Sequence, residues 1–329
     1  MSSDKKDVSN QSVKKTDCVV KLSSNKEAPG VIGTFKKSQS ASEFSTSLGL
    51  IKNVYEDSIE YTGVPKGTRG WMMFLGILFG ATFVCTGGWG VMGFFDQGIN
   101  GVLDIIFLSV AVGTVIGALY LAINSVRMEL FRPIDEPIIF DRKNRKVYRI
   151  FRETYSGWRG LFMHWPLKFS QHDWDLVEAE HQTVLSTNGS IVTRYHALMF
   201  LVRKSNDDDT LVASFLVGNS LIMGELTVPA VWEHIRLFME NGGPHLPGAE
   251  TLPPPDSPKT LGQCLAASGP YGKNFLVWWK EIDLLLVLVV VFFPILLPVF
   301  TCVAIFAWLS YKTSVAIEWP KHVLTALRA

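Results

Sequence analysis

Charge is scarce and almost balanced in this chain. Asp, Glu, Lys and Arg make up 19% of its 329 residues, and the formal net charge is +1. A nucleic-acid binder carries a clustered basic surplus, so no nucleic-acid partner is expected. Cysteine is scarce as well. Cys18, Cys85, Cys264 and Cys302 form no C-x-x-C or other zinc spacing, and two of them sit inside apolar runs. Structural disulfides and a zinc site are therefore not expected. The chain also lacks H-E-x-x-H, a Walker-type loop and G-x-S-x-G. The one G-x-G-x-x-G, Gly88 to Gly93, lies in an apolar run without the strand–turn–helix context that gives it meaning. His172, Asp173, Asp175, Glu178, Glu180 and His181 are metal-ligating types, but they interleave with Trp174, Leu176 and Val177 as the wet face of a strand does. Neither a catalytic site, a metal nor a cofactor is expected.

What the chain does have is grease in three places: Trp71–Phe95, Val102–Ser125 and Leu284–Leu309. A helix rising about 1.5 Å per residue crosses a bilayer with roughly 20 apolar residues, and each run reaches that length. Asp104 is the only charge inside them. The first seventy residues are hydrophilic, so Trp71–Phe95 is expected to stay in the mature chain as a span and not to be cleaved as a signal peptide.

Flanking charge orients the spans. Lys52, Lys66 and Arg69 precede the first run, and Arg127, Arg132, Arg142, Lys143, Arg145 and Lys146 follow the second, whereas the intervening turn holds Asp96 and no cation. The positive-inside bias puts the N-terminus and the central region in the cytoplasm. Gly76 with Gly80, and Gly113 with Gly117, form two G-x-x-x-G spacings at comparable depth. They are expected to meet within the hairpin, with a homo-oligomer interface as the other reading. Pro294 and Pro298 should kink the third run near Phe293. Its length suits one kinked span, which would carry the C-terminus across, or a wedge that enters and leaves one leaflet. The single span is preferred, although Lys312, Lys321 and Arg328 in the tail speak against it.

The expected division is a disordered tail over 1–50, a juxtamembrane segment over 51–70, a transmembrane hairpin over 71–125 and a cytoplasmic domain over 126–243. A Pro-rich linker over 244–281, a transmembrane or re-entrant segment over 282–310 and a tail over 311–329 complete it. Within the domain, Pro137–Phe151 reads as a β-hairpin turning at Asp141–Arg145. Asp141, Arg142 and Arg145 are expected to fix that turn. Strands are predicted at Leu167–Phe169, Asp175–Ala179, Gln182–Thr187, His196–Arg203 and Thr210–Phe215, with an Asn188–Gly189 turn. Pro229–Asn241 has helical periodicity, with Thr227 to cap it and Gly242–Gly243 to stop it. The predicted fold is thus three membrane helices plus an α+β domain, a small antiparallel roll of pleckstrin-homology type closed by a C-terminal helix. Trp278, Trp279 and Lys280 are placed as an interfacial anchor. The basic strip Arg142, Lys143, Arg145, Lys146, Arg149 and Arg152 lies close to the membrane along the sequence and is a candidate for lipid contact; its first four residues, with Trp174, are the candidates named for contact with lipid or a partner.

The phrase LFRPIDEPIIFDRKNRKVYRIFRE (Leu130–Glu153), with WDLVEAE at Trp174–Glu180 and the dipeptide Trp319–Pro320, resembles a family of uncharacterised proteobacterial membrane proteins. The resemblance covers roughly residues 65 to 325. Members of that family often accompany type VI secretion effectors, which implies a non-enzymatic inner-membrane immunity protein that neutralises a cognate toxin by binding. A membrane-tethered adaptor for lipid or protein is the alternative. The family has no established catalytic residues to carry over.

Overall fold

The structure is a computed structural model that describes residues 30–63, 69–99, 101–155, 157–187, 192–218, 220, 222–253, 259–268 and 284–328. Residues 1–29, the Asn188–Gly189 turn and Trp278, Trp279 and Lys280 lie outside the described residues.

The strands that flank the helical hairpin in sequence pair with each other. Strand β3 (Ser58–Tyr61) runs antiparallel to β4 (Ile138–Asp141), with Tyr61 opposite Ile138 and Ser58 opposite Asp141. Between them lie α1 (Trp71–Gln97) and α2 (Val102–Glu129), so the two helices are an insertion into a β-hairpin of the domain. With β2 (Ile51–Val54), β5 (Lys146–Arg152) and β6 (Leu167–Asp173) these strands form a five-stranded antiparallel sheet, order β2-β3-β4-β5-β6. A 3-10 turn at Trp174–Leu176 carries the chain into a second sheet, order β1-β7-β8-β9. Its strands are β1 (Val31–Phe35), β7 (Val177–Thr187), β8 (Val192–Ser205) and β9 (Asp208–Val217).

This corrects two expectations. The stretch from Gly30 to Leu50 is part of the domain and not a disordered tail: Phe35 pairs with Ala179, and Ser47 and Leu50 are buried. Likewise 51–63 is not a juxtamembrane connector but two strands of the first sheet. The strands predicted separately at Asp175–Ala179 and Gln182–Thr187 are one strand, β7, preceded by the Trp174 turn.

Both sheets and α4 (Thr227–Asn241) share one interior. Ile59, Tyr61, Phe140 and Val147 enter it from the first sheet, Val177, Leu198, Phe200 and Phe215 from the second, and Val231, Trp232, Ile235 and Phe238 from the helix. Pro229 is tolerated because it stands in the first turn, where its missing N–H has no helical acceptor. Gly242, at φ 63, ends the helix in the left-handed conformation, and the Gly243 N–H reaches back to Leu237 O at 2.9 Å. Thr227 is not the cap; it is the first helical residue, and its hydroxyl accepts from the Gly224 N–H at 2.7 Å.

The unbroken apolar run Ile138–Phe140 now has a cause. Alternate residues of a strand face opposite ways. Ile138 and Phe140 enter the main interior, while Ile139, with Tyr148 beside it, faces a second cluster built on α7 (Lys321–Arg328). Val323 and Leu327, one helical turn apart, are buried there, and the Trp319 ring meets Phe169 edge-on at 6.4 Å. Burying two such side chains stabilises the docked helix by roughly 3–6 kcal/mol before its ordering entropy is counted.

Helix α6 (Leu284–Lys312) is helical through both prolines, with no break at Phe293. Near its C-terminal end it meets α5 (Leu261–Ser268), with Cys264 packed on Ala304, Ala307 and Tyr311. Helix α5 and the tail after α6 therefore both lie at the end of α6 that meets the domain. Three segments, Trp71–Asp96, Val102–Glu129 and Ile295–Lys312, are long and apolar enough to cross a membrane. In the most apolar window of α2 only 6% of residues are buried, an apolar exposure that suits lipid and not water.

Candidate functional site

The described residues that tie the helices to the domain converge at one junction. Asp135, just before β4, is 1% exposed. Its Oδ1 accepts from the Thr62 hydroxyl at 2.7 Å, the Gly63 N–H at 3.0 Å and the Glu136 N–H at 2.8 Å, and Lys52 stands 3.5 Å from Oδ2. One carboxylate thus holds both chains that lead into the hairpin. Gly63 suits this crossing because a Cβ there would lie 2.3 Å from Glu136 O.

Arg69 binds the third helix into the same place. Its guanidinium donates to Pro133 O and, at 3.1 Å, to the Ser310 hydroxyl, and it lies 4.9 Å over the Tyr311 ring. Ser310 in turn donates to Glu129 O at 2.9 Å, so α6, α2 and the lead into α1 are joined through two side chains. Burial pushes the Arg69 pKa down, and the guanidinium stays charged because arginine titrates far above neutral pH. A cavity of about 120 Å³ opens beside it, lined by Arg69, Trp71, Lys259, Cys264, Ala267, Ala307 and Tyr311.

The residues nominated from sequence lie elsewhere. The β4–β5 turn sits at the strand ends remote from the helices. There Arg142 pairs with Asp57 at 2.8 Å, and Arg145 pairs with Asp175 at 2.6 Å and Glu240 at 3.2 Å. Asp141 fixes the turn by accepting from the Asn144 N–H at 3.0 Å and its side-chain amide at 2.8 Å. Lys146 stands opposite Asp173, and Lys143 lies in the turn itself. Trp174 is a core residue, 0% exposed, whose Nε1 donates to Glu240 Oε1 at 2.6 Å. Gly76 and Gly80 lie against α2, while Gly113 and Gly117 have no atoms of other residues close enough for a new Cβ to meet. The two G-x-x-x-G pairs do not meet each other.

Among the described residues no three of His, Cys, Asp and Glu are grouped as a metal site. The acidic and histidine stretch disperses instead: Asp175 faces Arg145, Glu178 faces Arg203 at 2.6 Å, and His172 stacks on Phe215. His181 Nε2 meets His196 Nδ1 at 2.9 Å under the Phe35 ring. Sequence reading missed Asp135, Arg69 and Ser310; the signal for Asp135 was its place inside the R-P-x-D-x-P phrase.

Three histidines give the domain a pH dependence. Burial lowers the pKa of His172, His181 and His234 below the ordinary 6.5, with Arg149 adding to it at the first and His196 at the second. The unfolded chain then takes up protons before the folded one as pH falls. Stability is fully present above pH 6.5 and declines below it, by up to about 1.4 kcal/mol per pH unit for each histidine until that residue protonates in the folded state. Thermal melts in detergent at pH 7.5 and 5.5 should show the loss, and His181→Gln should reduce it. A melting temperature flat across that range would refute the assignment.

No curated protein and no solved structure matches this chain significantly. A family model, described as a family of unknown function, matches residues 115–328, from the middle of α2 to the end of α7. The chain belongs to that family, DUF6708.

Proposed function

We propose that this is a non-enzymatic bacterial inner-membrane protein, an immunity protein that neutralises a type VI secretion effector by binding it. One observation carries the binding role: the helical hairpin is inserted between paired strands β3 and β4 and locked there by Asp135. The domain is then held at a set height and orientation over the bilayer, as suits a blocker that meets a toxin arriving at or through the membrane. The toxin itself is inferred from the family resemblance. Lys52, Arg69, Arg127 and Arg132 lie at the domain end of the helices and Asp96 at the other, which supports a cytoplasmic domain. The helix α4, following the last strand and filling the interior of two sheets, supports a roll of pleckstrin-homology type.

The test is growth of a sensitive bacterium expressing this chain when attacked by a strain secreting a type VI effector encoded beside it, against an empty vector. Protection is expected. Death at the control rate, with the protein present in the membrane, would overturn the immunity reading and leave the membrane-tethered adaptor.

A further inference from the structure

A second group of cations, on the membrane side of the domain, is short of acceptors. Arg127 ends α2, and its guanidinium donates to Leu161 O and Met163 O at the end of α3 (Gly157–Phe162). Arg152 ends β5 and donates to Met128 O at 3.5 Å. The seven-residue strand β5 spans about 20 Å, so Arg152 lies far from the paired cations of the β4–β5 turn. Both guanidiniums lie over the buried Trp165 ring, at 5.4 and 4.7 Å. The Nε of each is buried and finds no acceptor among the described residues. Arg132 and Arg149 add to the same field, and the carboxylate that offsets Arg149 and Arg152 is Glu136. Glu153, next in the chain, turns to Lys168 and Tyr155 instead. Four guanidiniums therefore crowd a half-buried place where Glu136, with Asp135 beside it, is the offsetting carboxylate, and such crowding is costly. Burial, with Arg127 and Arg132 nearby, pushes Arg152 down to about 10.

Beside this cluster α3 turns apolar groups outward. Trp158 is 57% exposed and Phe162 87%, and the Trp158 ring packs on Tyr120 of α2 at 4.9 Å. Exposed aromatic residues next to the end of an apolar helix suit the headgroup layer of a bilayer. We infer that Arg127 and Arg152 over Trp165, with Arg132 nearby, form a binding site for the phosphate of an anionic phospholipid, with α3 seated in the interface beside it. Planar guanidiniums bind phosphate with paired N–H groups, and a phosphate would supply the acceptors the cluster lacks. The site is independent of the toxin reading, since it faces lipid and not the far end of the domain.

The test uses the full chain purified in detergent, with bound lipid read by native mass spectrometry and stability read by thermal melting. Phosphatidylglycerol is expected to remain bound and to raise the melting temperature, and phosphatidylcholine is not. Arg132→Gln with Arg152→Gln should weaken the phosphatidylglycerol effect about thirtyfold in the lipid concentration needed, at about a fivefold loss per charge. Lys143→Gln with Lys146→Gln, an equal loss of charge at the remote turn, should leave it unchanged. A double variant whose melting without lipid matches wild type yet keeps its phosphatidylglycerol response would overturn the site. So would equal responses to the two lipids. Inorganic phosphate giving the same stabilisation would assign the site to a soluble anion and overturn the lipid.

Discussion

Asp135→Ala is expected to destabilise the protein by about 3–5 kcal/mol, with the damage centred where the helices enter the domain. The carboxylate is buried and accepts from the Thr62 hydroxyl and the Gly63 and Glu136 N–H groups. Alanine leaves those donors without their acceptor in a place water does not reach freely, and each buried unmet donor costs about 1–3 kcal/mol. It also removes the Asp135 carboxylate from beside Lys52, a smaller effect because the lysine side chain is 24% exposed and 3.5 Å away. Asp135→Asn keeps one acceptor oxygen and should lose markedly less. In detergent, the melting temperature of the alanine variant should fall by roughly 10 °C, and protease should cut sooner before α1 and between α2 and β4. Equal melting of wild type and Asp135→Ala would show that the strand pairing alone holds the junction.

Much of the fold was legible where a short stretch of sequence decides it. The Pro137–Phe151 hairpin, the helix ending at Gly242 and the first two apolar helices each rest on local signals: a polar turn between apolar runs, a stop glycine, sustained apolar length. Strands β1, β2 and β3 were not legible. Each has only four or five residues, in a Ser- and Lys-rich setting, and each is stabilised by partners remote in sequence, as Phe35 by Ala179 and Tyr61 by Ile138. No local periodicity reveals a pairing across an inserted hairpin of two apolar helices. The continuous apolar face of Ile138–Phe140 did carry information, since a strand covered on one side alone alternates, and this one demanded a second cover. Helix α7 supplies it, and Val323 and Leu327 at a spacing of one helical turn were its sequence signature. For the third apolar segment, length was weighed above charge. The tail's Lys321 and Arg328 belong to α7, which rests on the domain. The basic strip Arg142, Lys143, Arg145, Lys146, Arg149 and Arg152 divides in the fold. Nearness to α2 in sequence was taken as nearness to the membrane, whereas β4 carries the first four residues away from it and β5 brings Arg152 back.

The glycine pairs of the hairpin should separate sharply under substitution. Gly76→Leu and Gly80→Leu are each expected to cost about 1–3 kcal/mol or more and to splay α1 from α2, while Gly113→Leu and Gly117→Leu are expected to change stability little. At Gly76 even a Cβ would lie 2.2 Å from the Ser125 side chain. At Gly80 it would lie 2.7 Å from Ala122 Cβ and 3.2 Å from Ala118 O, and at Gly87 2.9 Å from a Val115 methyl. The closeness comes from glycine on α1 and small residues on α2, namely Ala118, Ala122 and Ser125, and not from two facing G-x-x-x-G motifs. Backbones packed this closely cannot admit a leucine without moving a helix whose ends are fixed by β3 and β4. The strain would therefore pass into the domain, and the melt of the whole protein should report it. At Gly113 and Gly117 a Cβ would meet nothing within 4 Å, so leucine would enter lipid and trade a poor helix former for a good one. Melting in detergent combined with molecular mass by light scattering separates the readings. Equal losses at all four positions would contradict the packing described here. Unchanged melting with a lost dimer in Gly113→Leu would move that second pair to a contact between copies of the chain.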